Sequence, residues 1–104
     1  MRDFNNITII GNLVEDPTMR FSTEGKAVTR FRMAVNGWKE GEVDFIPVVC
    51  FGNVAEKAGE WLKKGKKALV MGRLRIKQYE KDGEKKSSTE IEASEIQMLS
   101  PKGE

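Results

Sequence analysis

Residues 27 to 36 alternate. Ala27, Thr29, Phe31, Met33 and Val35 fall on one side of an extended chain, while Val28, Arg30, Arg32 and Asn36 make up most of the other. That period of two predicts a half-buried strand with two arginines facing outward. Upstream, Ile7 to Val14 is rich in β-branched and apolar residues and predicts an earlier strand, with Gly11 marking a bend or the close approach of another backbone. Between the two, Glu15-Asp16-Pro17 breaks the pattern, Met19-Arg20-Phe21 reads as a short strand-like excursion, and Thr23-Glu24-Gly25 is a turn signal. Asn36-Gly37 through Gly41-Glu42 is a polar, glycine-bearing loop, yet it carries Trp38. Val43 to Phe51 predicts the next strand, with Pro47 favouring an edge or a bulge because proline cannot donate to a ladder.

The period then lengthens. From Asn53 to Lys64, apolar Val54, Ala55, Ala58, Trp61 and Leu62 share one side of a helix; Asn53 is placed to cap its start with Glu56 three residues on, and Gly65 to close its end. This spacing puts Trp61 in the core, where Phe21 and Phe31 are also expected. Ala68 to Tyr79 is a strand, Glu80 to Glu84 a hairpin turn, and Ser87 to Leu99 a final strand whose apolar parity shifts between Ala93 and Ile96, predicting a bulge. With the minor excursion set aside, the order β, β, β, α, β, β predicts an all-β domain: a five-stranded Greek-key barrel of the oligonucleotide/oligosaccharide-binding type, the OB-fold, with its helix between strands three and four. A chain of 104 residues suits one domain, here 1–100, followed by a short polar tail at 101–104.

Composition narrows the function classes. Eighteen Lys and Arg against sixteen Asp and Glu leave only +2, but Lys57 to Lys86 holds eleven basic and four acidic residues, so positive charge is concentrated there. One cysteine, Cys50, and no histidine exclude an intrachain disulfide, zinc-ligand pairs and a Cys-His nucleophile. No cofactor or metal is expected. The N-terminus lacks the apolar stretch of a signal peptide and no run approaches a membrane-spanning length, so a soluble intracellular protein is expected.

The most informative segment is the strand in which Arg73, Arg75, Lys77 and Tyr79 alternate and must share a face. Cations suit phosphate oxygens and an aromatic ring gives any base a stacking surface. A charge run alone is more often a solvated strand face, but Trp38 in its polar loop and Phe45 also sit outside any core pattern. Phe51 shares the parity of Phe45 and suits core or surface equally. Arg30 and Arg32 extend the basic character to a second strand, with Glu90 or Glu92 as competing partners. A nuclease reading would rest on Glu15, Asp16, Glu90 and Glu92; these are adjacent or alternate as solvated carboxylates do, and no histidine supplies a proton shuttle. No catalysis is expected. A protein-interaction domain whose aromatics form a subunit interface is the other alternative.

Several segments carry a resemblance. Asn6-Ile7-Thr8-Ile9-Ile10-Gly11-Asn12-Leu13 with Asp16-Pro17 and Arg20-Phe21, Val48-Val49-Cys50-Phe51-Gly52 leading into Ala55-Glu56, Leu62-Lys63-Lys64-Gly65, Gly72-Arg73-Leu74-Arg75 and Ile96-Gln97-Met98-Leu99 together resemble the bacterial and phage single-stranded DNA-binding proteins over nearly the whole chain. The resemblance implies an OB-fold, a homotetramer with a homodimer as alternative, and a sequence-tolerant cover for single-stranded DNA in replication, recombination and repair, in a bacterial cytoplasm at the nucleoid or in a phage-infected host. It places base stacking on Trp38, Phe45, Phe51 and Tyr79, with phenylalanine and tyrosine standing for tryptophan at 45 and 79; phosphate contacts then fall to Arg30, Arg32, Arg73, Arg75 and Lys77. Pro47 departs from the basic residue common there, and the loop at 37–42 is short. No acidic tail follows Leu99, so tail-mediated recruitment of replication and repair partners is not expected; this fits either a truncated chain or a phage, mobile-element or divergent member.

Overall fold

The computed structural model describes residues 1–100; the tail expected at 101–104 lies outside them. Alternating segments become strands, and one more than expected: β1 (Ile7–Leu13), β2 (Thr18–Phe21), β3 (Ala27–Asn36), β4 (Val43–Phe51), then helix α1 (Gly52–Trp61), β5 (Lys67–Lys81) and β6 (Glu84–Met98). The excursion is thus a strand in its own right, pairing antiparallel with β3 from Thr18↔Arg30 to Phe21↔Ala27, and the count is six rather than five. The strand order is β1-β5-β6-β4-β3-β2, and β1 also pairs with β3 through Asn12↔Ala34 and Leu13↔Met33. Neighbours therefore run in a circuit from β1 through β5, β6, β4 and β3 back to β1, with β2 outside it.

The close approach expected at Gly11 lies at this closure, where a side-chain carbon would collide with the Ala34 carbonyl. The bulge expected near the end of the chain is also present: Met71 pairs with Glu95 but Gly72 with Ala93, leaving Ser94 as the extra residue. Pro47 ends the part of β4 that pairs only with β3, because the parallel contact with β6 begins at Val48↔Ile91. At the β5–β6 turn, Asp82 and Gly83 both have positive φ, as a two-residue type I′ turn requires.

Inward residues of the strands, among them Leu13, Phe31, Met33, Val48, Val70 and Ile91, form the core, and α1 covers it with Ala55 and Ala58. The Thr29 hydroxyl, fully buried, donates to the Ala55 carbonyl at 2.7 Å and ties the helix to β3.

Four local expectations are corrected. The helix starts at Gly52, not Asn53, and Phe51 is its extended N-cap with no side-chain bond; Gly52 at φ +64° turns the chain directly from β4 into the helix. It ends at Trp61, not Lys64, because the next residues bond to the β1 end instead: Lys64 N–H donates to Asp16 and Gly65 N–H to the Leu13 carbonyl. Leaving the helix turns Leu62 into the core, while Trp61 is 38% exposed rather than buried. Phe21 is exposed too, at the outer end of an edge strand, whereas the helix packs on Met19, whose Sδ lies by Gly59. No helix among the described residues is long and apolar enough to cross a membrane.

Candidate nucleic-acid interface

Side chains directly opposite each other on paired strands share a face. Across β3, β4, β6 and β5 the register Arg30↔Val49↔Glu92↔Arg73 therefore sets Arg30, Glu92 and Arg73 in one row of the outer side, with Val49 between them itself buried. Beside it stand Arg32 opposite Pro47, and Arg75 opposite Glu90. Farther along, Phe45 lies opposite Ala34, Phe51 opposite Val28, and Tyr79 opposite Lys86 in the long β5–β6 hairpin. The structure thus gathers Arg30, Arg32, Phe45, Phe51, Arg73, Arg75, Lys77 and Tyr79 onto a single outer face. Trp38 stands apart on the β3–β4 loop.

Exposure separates the four rings. Trp38 is fully exposed, Phe45 60% and Tyr79 47% exposed, so each is open to a stacking partner. Phe51, half-buried, has the Lys26 ammonium 5.9 Å from its ring centre. Asn5 helps to set the basic strand: its side-chain amide donates to the Leu74 carbonyl and accepts from the Leu74 N–H, both at 2.9 Å, holding β5 between Arg73 and Arg75.

All five cations already have partners. Arg30 contacts Glu90 Oε2 at 2.8 Å and Lys77 contacts Glu90 Oε1 at 2.9 Å. Arg73 and Arg75 reach Glu92 at 3.1 and 3.8 Å, and Arg32 meets Glu15 at 2.7 Å. Five cations against three carboxylates leave +2 on this cluster.

Comparison with known proteins decides the family. The family model described as "Single-strand binding protein family" matches residues 4–99. The chain belongs to that family. It is 42% identical over 101 residues to the single-stranded DNA-binding protein of Corynebacterium glutamicum, covering 88% of this chain and 45% of that one. With the protein of the same name from Xanthomonas axonopodis pv. citri it shares 38% over 111 residues, 99% of this chain and 62% of that one. For single-stranded DNA-binding protein 3 of Clostridium acetobutylicum the values are 42% over 101 residues, 91% and 70%. The chain thus spans about half to two thirds of the length of these relatives.

Within this family member, the competing pairing of Arg30 with Glu90 is present, whereas Arg32 turns to Glu15 instead of Glu90 or Glu92. Glu90 is only 7% exposed. Burial by itself would push its carboxyl up, but Lys77 and then Arg30 outweigh burial and hold it below the usual carboxylate value. Lys77 Nζ lies 2.9 Å from Glu90 Oε1, so this buried oxygen faces a cation rather than water. Lys26, and the contacts of Glu90 with Lys77 and of Glu92 with Arg73 and Arg75, are what sequence reasoning missed. The alternation of Glu90 and Glu92 at i and i+2 was visible; the strand order that inserts β6 between β4 and β5 was not. Among the described residues no three acidic, cysteine or histidine side chains cluster as metal ligands do.

Proposed function

We propose that this chain binds single-stranded DNA with little regard for base sequence and shelters it during replication, recombination and repair. The observation that carries the reading is the single outer face on which exposed Phe45 and Tyr79 share a surface with five Arg and Lys side chains. Trp38, Phe45, Phe51 and Tyr79 stack on bases, and Arg30, Arg32, Arg73, Arg75 and Lys77 attract phosphates. The names of the relatives support the ligand. The activity needs no cofactor and involves no bond-making step. Residues 1–100 form one OB-fold domain, and the circuit of pairings through β1, β5, β6, β4 and β3 supports a five-stranded barrel with β2 appended.

Assembly into a homotetramer, or at least a homodimer, is part of the proposal. Ile9 and Val70 pair on the core side, so their neighbours Ile10 and Leu69 face outward together, and Ile10 is about half exposed. The relatives are bacterial proteins, which supports the cytoplasm of a bacterium, at the nucleoid, or of a phage-infected host.

The test is tryptophan fluorescence during titration with an oligo-thymidine strand, using Trp61→Phe so that Trp38 is the sole reporter. Saturable quenching by the single strand, weak response to duplex DNA, and loss of affinity with rising salt are expected. Absence of quenching together with absence of a gel shift would assign the aromatics to a protein interface.

A further inference from the structure

The cations of the outer face do not wait in water. Arg30 and Lys77 share Glu90, and Arg73 and Arg75 share Glu92, so a phosphate arriving at any of the four meets a carboxylate already in place. Carboxylate and phosphate oxygens match the same donors. For the exposed member of such a pair separation is easy, since half-exposed ion pairs contribute little. Glu90 does not separate in the same way: it is 7% exposed, on a strand flanked by β4 and β5, with its Oε1 buried against Lys77 at 2.9 Å. Beside it opens a cleft of about 370 Å³ with Arg30 and Arg32 at its polar side and Phe31 and Pro47 among its apolar lining, so a phosphate drawn to Arg30 sits against the Glu90 charge.

We propose that Glu90 and Glu92 are affinity-limiting residues of the interface, internal competitors that occupy the phosphate-binding cations in the free protein and repel the bound strand. They act through Arg30, Arg73, Arg75 and Lys77 rather than by touching a base. Their charge keeps the bound strand exchangeable, since the carboxylates stay beside the cations and reclaim them as the phosphates depart. This inference rests on the single-strand reading above.

The test compares the salt dependence of oligo-thymidine affinity for the full chain and for Glu90→Gln, Glu90→Asp, Glu92→Gln and, as a charge control remote from the face, Glu60→Gln. Glu90→Gln should bind about five- to tenfold more tightly at low salt. Its plot of log affinity against log salt should steepen by about 0.7 for each further phosphate that the freed cations neutralise. Glu90→Asp keeps the charge and should behave as the parent, as should Glu60→Gln. Glu92→Gln, at a more exposed site, should tighten binding in the same direction and answers the question even where the Glu90 variant is poorly folded. Unchanged or weaker binding by folded Glu→Gln variants, with an unchanged salt slope, would overturn the inference and make these carboxylates props for the cations. A parent chain that fails to bind oligo-thymidine at all overturns the proposed function instead, so the two failures are distinguishable.

Discussion

Phe45 and Tyr79 show how a large apolar side chain can be retained on a surface without serving the core. Each sits on a strand whose opposite face or neighbouring strand makes the fold, so truncation should leave stability within about 0.5 kcal/mol. Base stacking, in contrast, is worth roughly 1–3 kcal/mol per base. Phe45→Ala and Tyr79→Ala should therefore each weaken single-strand binding, read by fluorescence titration, with little change in melting temperature. A drop in melting temperature that tracks the loss of binding would point to a packing role. Cys50 is the reverse case. It is fully buried, its thiol faces the Thr29 carbonyl at 3.6 Å, and burial pushes it up to about 11, beyond what that contact offsets. The thiol stays neutral through the working pH range, and the reactive thiolate is scarce. Alkylation by iodoacetamide at pH 8 should be negligible in the native protein and rapid in denaturant; fast native labelling would mean that β4 opens locally.

At the scale of elements, the glycines mark where backbones meet. β1 contacts both β5 and β3, and Gly11 lies where its neighbour Asn12 crosses to Ala34. Gly11→Val would press a branched side chain on the Ala34 carbonyl and on Val35 Cγ2. Such overpacking costs about 1–3 kcal/mol, a fall in melting temperature of roughly 4–8 °C per kcal/mol for a domain of this size, measurable by calorimetry. An unchanged melting temperature would show that the closure of β1 on β3 gives way freely. The β5–β6 hairpin is the element most legible from sequence, because its turn signal at Asp82-Gly83 and its bulge are both local. The helix was less so. Its interior pattern was visible, yet its ends were set by Gly52 and by hydrogen bonds from Lys64 and Gly65 to Asp16 and Leu13, residues about fifty positions away.

For the whole molecule, charge concentrated in sequence is not charge concentrated in space. The excess between Lys57 and Lys86 is distributed over the helix, its following loop, β5 and the start of β6, and the part that reaches the outer face meets Glu90 and Glu92 from β6. What the chain determined by itself was local: which segments are strands or helix, and which residues alternate onto one side of each, because both follow from backbone geometry at a spacing of two or 3.6 residues. Hence Arg73, Arg75, Lys77 and Tyr79 were legible as a set, as were Arg30 and Arg32. The tertiary structure alone decided which sets meet. Arg30 and Glu90 are sixty residues apart and touch only because β6 pairs with β4 on one edge and β5 on the other. Likewise Trp61 and Phe21 were apolar residues with core-like spacing, left exposed because the helix ended early and the edge strand had no layer above its tip. Periodicity specifies a face, but the strand order specifies what that face confronts.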